Sequence, residues 1–249
     1  MQATQVTASS AKSIDNSAMG TLYLIRHGQA SFGAEDYDNL SALGHQQAER
    51  LGAYFKHKNM QFDAVITGTL RRHTQTWQGI AKGAGFAHEP LALPGLNEYD
   101  SYAVIATIHP QKLEKPDTPD MYRQHFRLLK DGLTQWMNGV VSPVGMPSYD
   151  DFQQGVVNAL DHVRKTHSAD KASDNSGKSG NILIVSSGGP IATAVGHILG
   201  TTPETTIELN LRIRNCSITE FAFTPKRHML VTYNTLPHLE ELPDWVTYA

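Results

Sequence analysis

The chain has 249 residues, of which 40% are hydrophobic and 18% are charged, and its formal net charge is -3. This is the composition of a globular protein, and it argues against disorder of the chain as a whole. The near-neutral charge gives no reason to expect nucleic acid or an anionic membrane as the main partner, so any anion has to be bound by local features.

The start of the chain and its single cysteine indicate which cellular compartment to expect for the protein. The first 18 residues are polar and small and lack the apolar core of a secretion signal, so we expect a disordered leader over residues 1–19 and one domain over 20–249. Cys216 cannot form an internal disulfide, and no apolar run reaches the roughly 20 residues of a membrane span. We therefore expect a cytoplasmic protein.

Short apolar runs alternate with helical patterns from the start of the predicted domain. The first apolar run is 22–25, and Ser41 then offers a cap for a helix. A second apolar run covers 62–66. This alternation predicts strand-helix units built on a mostly parallel sheet.

The middle of the chain contains a helix and then loses the alternation. The helix is predicted from about Leu70 to Lys82, with an end at Gly83 and Gly85. Between about 97 and 149, prolines and helical fragments predict a cap inserted over the sheet. Residues 168–180 are polar and rich in glycine and serine, which predicts a mobile loop.

The last third of the chain adds a strand, a helix and a strand pair. The apolar run 182–185 precedes Pro190, which suits the first turn of a helix that ends at Gly200. The runs 217–223 and 229–233 lie close together and predict an antiparallel pair at one sheet edge. The predicted fold is α/β: a three-layer α/β/α sandwich with a mostly parallel central sheet, an antiparallel edge and a cap insertion.

Polar and glycine-rich segments follow three of the predicted strands. These segments are 26–29 (RHGQ), 67–72 (TGTLRR) and 186–189 (SSGG). Ligands of open parallel sheets bind beyond the carboxyl ends of the strands, so the three segments should surround one crevice. Together they supply a histidine, arginines, hydroxyls and backbone N–H groups, which suit a bound oxyanion.

The same segments resemble the signatures of the histidine phosphatase superfamily, the phosphoglycerate mutase-like branch 1. Residues 24–29 (LIRHGQ) and 40–48 (LSALGHQQA) look like its opening signature. Residues 67–76 (TGTLRRHTQT) are similar to its Ser-Pro-Leu-x-Arg-Ala-x-x-Thr segment, and 96–98 (LNE) to its Leu-x-Glu. The resemblance runs with gaps over about 22–239, and the cap is the least similar part.

The resemblance implies phosphoryl transfer without a metal or another cofactor. His27 would attack phosphorus and become phosphohistidine, while Arg26 and Arg72 would hold the phosphate oxygens. Glu98 would protonate the leaving oxygen and then activate water. The arginines would neutralise the phosphate, and the twelve histidines lack the spacing of metal ligands. The residues expected to complete the phosphate and substrate site are Gly28, Gln29, Ser187 and Gly188.

Two positions depart from the family pattern. Ser187 stands where the family's Val-Ser-His-Gly-Gly has a second histidine, and Gly33 stands where many members have an asparagine. A hydroxyl cannot supply positive charge, and the loss of one charge-assisted contact costs on the order of a hundredfold in rate. We therefore expect Ser187→His to raise turnover, provided that the pocket has space for an imidazole.

Each of these residues also has an ordinary structural interpretation. His27 could be a satisfied histidine at a strand end, Arg72 a solvated helix arginine and Glu98 a solvated turn residue. Ser187 and its glycines could form a tight strand-to-helix turn. The flanking arginine and the further signatures favour the catalytic interpretation.

Three functions remain open. The first is a phosphomonoesterase acting on a phosphorylated small molecule or protein side chain. The second is a mutase, which uses the same chemistry but returns the phosphoryl group to another hydroxyl. The third is a phosphate-binding module with little turnover, which Ser187 suggests. A phosphatase is favoured because the basic residues of the cap form no dense cluster: Lys112, Lys115, Arg123, Arg127 and Lys130. The physiological substrate and a homodimer are left open by the sequence.

Overall fold

The computed structural model describes residues 19–31, 38–111, 113–114, 116–167 and 180–248. Several features discussed above lie outside these ranges: the leader over 1–18, the loop over 168–179, Gly33, Lys112 and Lys115.

Six strands form one sheet with the order β3-β2-β4-β1-β5-β6. The first four in this order run parallel, whereas β5 is antiparallel to β1 and β6 is antiparallel to β5. The mostly parallel sheet with an antiparallel edge is therefore confirmed. The strands are β1 Gly20–Arg26, β2 Ala64–Thr67, β3 Leu91–Ala92, β4 Asn181–Ser186, β5 Ile218–Phe223 and β6 His228–Thr235.

Seven α-helices are present among the described residues. Helices α1 and α2 pack on one face of the sheet, and α5 and α6 pack on the other. This confirms the three-layer α/β/α architecture. The helices are α1 Ala42–His57, α2 Arg71–Ala84, α3 Ser101–Ala106, α4 Pro119–Met137, α5 Tyr149–His167, α6 Gly188–Leu199 and α7 Pro203–Arg212.

Strand β4 shows why the sheet lies between two helical layers. Successive side chains of a strand point to opposite faces. Ile182 and Ile184 belong to the hydrophobic cluster with α5 and α6, whereas Leu183 and Val185 belong to the cluster with α1 and α2. All four side chains are buried. A continuous apolar run is therefore what a central parallel strand requires.

A third hydrophobic cluster joins the segment predicted as a cap, between β3 and α5 in the chain, to helix α7. Helices α3 and α4 pack there against α7 through Val104, Leu129, Leu133, Trp136 and Ile207. Helix α7 was not predicted from the sequence. Helices α3 and α4 are thus anchored to an element that directly follows α6, which begins beside the predicted phosphate site.

Of the two glycines predicted to end α2, Gly85 ends the helix and Gly83 does not. Helix α2 continues to Ala84 and ends at Gly85, whose φ of 78° is left-handed. Gly83 lies inside the helix because α1 approaches closely there: a Cβ at position 83 would lie 2.1 Å from the backbone oxygen of Glu49. Helix α6 begins at Gly188, so Pro190 lies in its first turn and Gly200 follows its last residue, both as predicted.

This close approach predicts that Gly83→Ala destabilises the fold. Alanine normally favours a helix over glycine by about 1 kcal/mol. Here the added methyl group would force α1 and α2 apart, so we expect the free energy of unfolding to fall by about 1–3 kcal/mol. Urea-induced unfolding measures this change. Gly155→Ala in α5 is the control, because its Cβ would lie 3.4 Å from its nearest neighbour and should be tolerated. Equal stability of both variants would contradict the proposed crowding.

Candidate active site

The ends of β1, β2 and β4 bring the three polar segments together. Arg26 at the end of β1 pairs with Ser186 at the end of β4, and Thr67 at the end of β2 pairs with Val185. His27 and Ser187 directly follow two of these strands. The crevice expected at the carboxyl edge of the sheet is therefore present.

His27 is held as a neutral imidazole with one nitrogen committed to the backbone. Its side chain is buried, and Nδ1 lies 2.7 Å from the carbonyl oxygen of Gly28. A carbonyl oxygen only accepts, so Nδ1 carries the proton and Nε2 carries the lone pair. Burial lowers the pKa of His27 well below its usual value, and the nearby Arg26 and Arg72 lower it further. The uncharged ring with a free lone pair on Nε2 is the form that can act as a nucleophile.

Gly28 and Gln29 hold the loop that follows His27. The amide of Gly28 donates to Thr76 Oγ1 at 3.0 Å, while its carbonyl oxygen fixes the His27 ring. The side-chain oxygen of Gln29 accepts a hydrogen bond from Ser41, the residue that caps α1. These hydrogen bonds connect the loop to α1 and α2. They give both residues a part in fixing the position of His27.

Arg72 is buried, whereas Arg71 beside it is exposed. A guanidinium nitrogen of Arg72 forms an ion pair with Asp38 at 2.9 Å. The same carboxylate accepts from the backbone amides of Arg71 and Arg72, and so it caps α2, whose N-cap residue Leu70 provides no side-chain cap. Asp38 was not singled out from the sequence. It orients Arg72 and stabilises the helix that carries it.

Arg26 provides the second guanidinium group. Its side chain is buried at the end of β1, and one of its terminal nitrogens donates to the backbone oxygen of Ile213. Both Arg26 and Arg72 influence the pKa values of His27 and Glu98. Their charges therefore act on the same small volume, as a clamp for an oxyanion requires.

Glu98 lies at the amino-terminal end of α6. Its carboxylate accepts from the amide of Gly189 at 3.1 Å and from that of Tyr99 at 3.2 Å. A side chain at position 189 would displace the Glu98 carboxylate, because its Cβ would lie 2.1 Å from a carboxylate oxygen. Burial raises the pKa of Glu98, although the Gly189 hydrogen bond and the two arginines oppose this effect. A carboxyl with a raised pKa can hold a proton for transfer.

Ser187 and Gly188 start α6. Ser187 is the N-cap residue and is fully buried, but its hydroxyl does not cap the helix. Gly188 is the first helical residue. The amides of a helix's first turn lack partners within the helix and favour anions, so this end suits a phosphate.

His73 is a second residue at this site, after Asp38, that sequence reasoning missed. It is fully buried on α2, its Nε2 lies 2.7 Å from Ser187 Oγ, and its ring centroid lies 5.8 Å from that of His27. Burial, with a smaller effect from Arg72, lowers its pKa to about 3. The available signal was a histidine in the second signature where the family segment has alanine.

A cavity of about 270 Å³ opens beside Arg26, Arg72 and Glu98. No lysine lines it among the described residues. The cavity wall combines polar residues with aromatic and aliphatic ones, the latter being Tyr99, Tyr102, Phe126, Leu129, Leu211 and Tyr248. The arrangement can hold one oxyanion beside the two arginines and a less polar group against the aromatic and aliphatic residues.

The remaining sequence expectations concern metals, thiols and membranes. Within the described ranges, no group of three or more histidine, cysteine or acidic residues could hold a metal ion. Cys216 is buried and unbridged, and burial strongly raises the pKa of its thiol. None of the helices in the described part of the chain is both long and apolar enough to cross a membrane.

Comparisons with solved structures show how widely this fold occurs. The phosphoglycerate mutase from Bacillus anthracis str. Sterne has a TM-score of 0.62 at 15% identity, over 90% of this chain and 96% of that one. A phosphoserine phosphatase from Entamoeba histolytica has a TM-score of 0.59 at 22% identity, over 88% and 99%. The alpha-ribazole phosphatase from Shigella flexneri has a TM-score of 0.57 at 20% identity, over 86% and 96%. At these identities the likeness shows a shared fold.

The family comparison covers most of the chain. No curated protein matches the sequence. A family model described as "Histidine phosphatase superfamily (branch 1)" matches residues 22–236, which include all three strand-end segments and Glu98. The chain therefore belongs to branch 1 of the histidine phosphatase superfamily.

Proposed function

We propose that this protein is a metal-independent phosphomonoesterase that works through a phosphohistidine at His27. The observation that carries the proposal is the bond from His27 Nδ1 to the Gly28 carbonyl, which leaves the lone pair on Nε2, in a ring whose pKa is lowered by two buried arginines nearby. The substrate is a phosphorylated small molecule or protein side chain. The site's own arginines supply the positive charge that a metal ion provides in other phosphatases.

In the first step, Nε2 of His27 attacks phosphorus in line with the ester oxygen. The N–P bond forms as the P–O ester bond breaks, and Glu98 gives its proton to the leaving alcohol. Arg26 and Arg72 hold the phosphoryl oxygens during the transfer. In the second step, water loses a proton to Glu98 and attacks phosphorus. The N–P bond then breaks, and inorganic phosphate leaves with the imidazole restored.

The cavity favours a phosphatase over a phosphoglycerate-type mutase. A phosphoglycerate carries a carboxylate in addition to its phosphate, and a mutase must hold both anions. Among the described residues that line the cavity, only Arg26 and Arg72 are arginine or lysine, and both belong to the phosphate clamp. The aromatic and aliphatic wall instead suits an uncharged alcohol group.

Hydrolysis of p-nitrophenyl phosphate tests this function. We expect turnover that is unchanged by excess EDTA, because no step uses a metal. We also expect no interconversion of 2- and 3-phosphoglycerate in the presence of a bisphosphorylated primer. Sustained interconversion would identify a mutase. Loss of turnover in EDTA that added metal restores would contradict the metal-independent mechanism.

A phosphate-binding module with little turnover is the second candidate. It is favoured by Ser187, which provides a hydroxyl where the family pattern has an imidazole. Phosphate binding without any hydrolysis by the wild-type protein would support this candidate.

A further inference from the structure

His73 and Ser187 form a buried pair at the proposed phosphate site. They lie 114 residues apart in the chain, on α2 and at the start of α6, and neither side chain is exposed to solvent. His73 Nε2 and Ser187 Oγ are 2.7 Å apart, so one of the two groups donates a hydrogen bond to the other. Which group donates determines where the hydroxyl proton of Ser187 points.

The surroundings of His73 Nδ1 settle the direction of this bond. Nδ1 is buried and has no hydrogen-bond partner among the described residues. It packs against the Cα of Gly68, where a Cβ would lie only 2.2 Å from it. A buried N–H without an acceptor is rare and costly, so Nδ1 carries the lone pair rather than the proton. The proton is then on Nε2, and Nε2 donates to Ser187 Oγ.

A hydroxyl that accepts at its oxygen keeps its own proton for another acceptor. We propose that His73 is a positioning residue that, by donating to Ser187, directs the Ser187 hydroxyl proton at a phosphate oxygen held by Arg26 and Arg72. The pair thus supplies, through two side chains, the hydrogen bond that a single imidazole at position 187 would make. This inference rests on the proposed function of the site.

We call this pair of hydrogen bonds, from His73 to Ser187 and from Ser187 to the phosphate, the relay. The charge state of His73 supports it. Its pKa is lowered to about 3, chiefly by burial and then by Arg72, so the ring carries one proton at neutral pH. A singly protonated ring can donate from Nε2 while Nδ1 remains a bare acceptor. The donor is therefore present throughout the neutral range.

The pair also changes the outcome expected for Ser187→His. The sequence predicted higher turnover on the condition that the pocket has space for an imidazole. That space is occupied by the His73 ring, which contacts Ser187 directly. We therefore expect Ser187→His alone to lower activity through crowding. Removal of the His73 ring at the same time opens the space and restores a single imidazole donor.

A mutant cycle on p-nitrophenyl phosphate hydrolysis tests the relay. We expect His73→Ala and Ser187→Ala each to lower kcat/KM about a hundredfold, as the loss of one donor to a developing anion does. The double variant should lose no more than the worse single variant, because both changes remove the same hydrogen bond. The exchange variant His73→Ala with Ser187→His should exceed His73→Ala by about tenfold.

Further variants separate positioning from simple packing. His73→Gln keeps an amide donor, whereas His73→Leu fills the space without one, so the first should retain more activity. Thr74→Ala, an exposed neighbour on α2, is the control and should match the wild type. Melting temperatures identify variants that fail to fold. Additive losses in the cycle, equal activity of the Gln and Leu variants, or no recovery in the exchange variant would overturn the proposal.

The same mutant cycle can be measured without turnover, by using calorimetry to determine the affinity of each variant for inorganic phosphate. The relay predicts that the two alanine variants weaken binding to the same extent and that the double variant weakens it no further. If the wild-type protein binds phosphate but hydrolyses nothing, the proposed phosphatase activity fails while the relay is still tested. Independent losses in phosphate affinity would overturn the relay alone.

Discussion

His27→Ala is expected to lower kcat for p-nitrophenyl phosphate by about a thousandfold or more, because the change removes the nitrogen that forms the covalent intermediate in the proposed mechanism. Buried Arg26 and Arg72 remain in this variant, so phosphate binding should persist. Rapid quenching of the wild type with a labelled substrate should trap an acid-labile, base-stable phosphoryl group. The same experiment with His27→Ala should trap none.

His45→Ala is the matched control for this experiment. His45 is an exposed histidine on α1, so its removal should leave turnover unchanged. If His27→Ala hydrolysed the substrate at the wild-type rate, His27 would not be the nucleophile. The proposed mechanism would then fail, whatever the effect on substrate affinity.

Glu98→Gln has the second-largest expected effect. Glutamine preserves the shape of the side chain and can still accept from the Gly189 amide, but it cannot transfer a proton. We expect kcat to fall by about 10²–10⁴-fold with an alkyl phosphate, whose leaving oxygen needs protonation. With p-nitrophenyl phosphate the loss should be smaller, since p-nitrophenolate is a stable leaving group. Glu89→Gln, an exposed substitution, is the control.

The pH dependence follows from the pKa shifts of His27 and Glu98. The lowered pKa of His27 keeps its nucleophilic nitrogen unprotonated well into the acidic range. The raised pKa of Glu98 keeps its carboxyl protonated to a higher pH than an ordinary glutamate. Activity on alkyl phosphates should therefore be highest on the acidic side of neutrality and should fall as the pH rises through the pKa of Glu98. This alkaline decline should disappear in Glu98→Gln, and its persistence there would assign the decline to another group.

The sequence predicted most of the sheet because buried strands leave a strong local signal. The run 182–185 is apolar on both faces since helices cover both, and Ser41 caps α1 through a contact only three residues away. Strand β3 left no such signal. It has two residues, both exposed, and it forms through pairing with β2 rather than through any pattern of its own.

Gly83 shows where local rules fail. A glycine at the end of a helical pattern usually marks a helix end, yet here it permits contact with Glu49 on another helix. The contact depends on how α1 and α2 pack, which no short stretch of sequence encodes. Helix α7 was missed for a related reason, because only two of its residues are buried.

The site residues that lie within a single sequence motif could be predicted, whereas contacts between distant segments could not. Arg26, His27, Arg72 and Glu98 each lie within a recognisable segment. The structure places the two arginines close enough to influence the pKa values of His27 and Glu98. The link between His73 and Ser187 could not be read from either segment alone. It requires the ends of β2 and β4 to be neighbours, which the sheet order provides. The role of Asp38 could not be predicted either, because its partners Arg71 and Arg72 lie 33 and 34 residues further along the chain.

We expect the charges of Arg26 and Arg72 to couple phosphate binding at the site to protonation of Glu98, which lies at the first turn of α6. Arg26 and Arg72 lower the pKa of Glu98 and so oppose proton uptake by its carboxyl. A phosphate dianion bound by both arginines cancels their influence and adds a like charge nearby, which raises the affinity of the carboxyl for a proton. In the proposed mechanism, substrate binding would therefore favour the protonated carboxyl that the first step uses, and release of phosphate would restore the lower proton affinity.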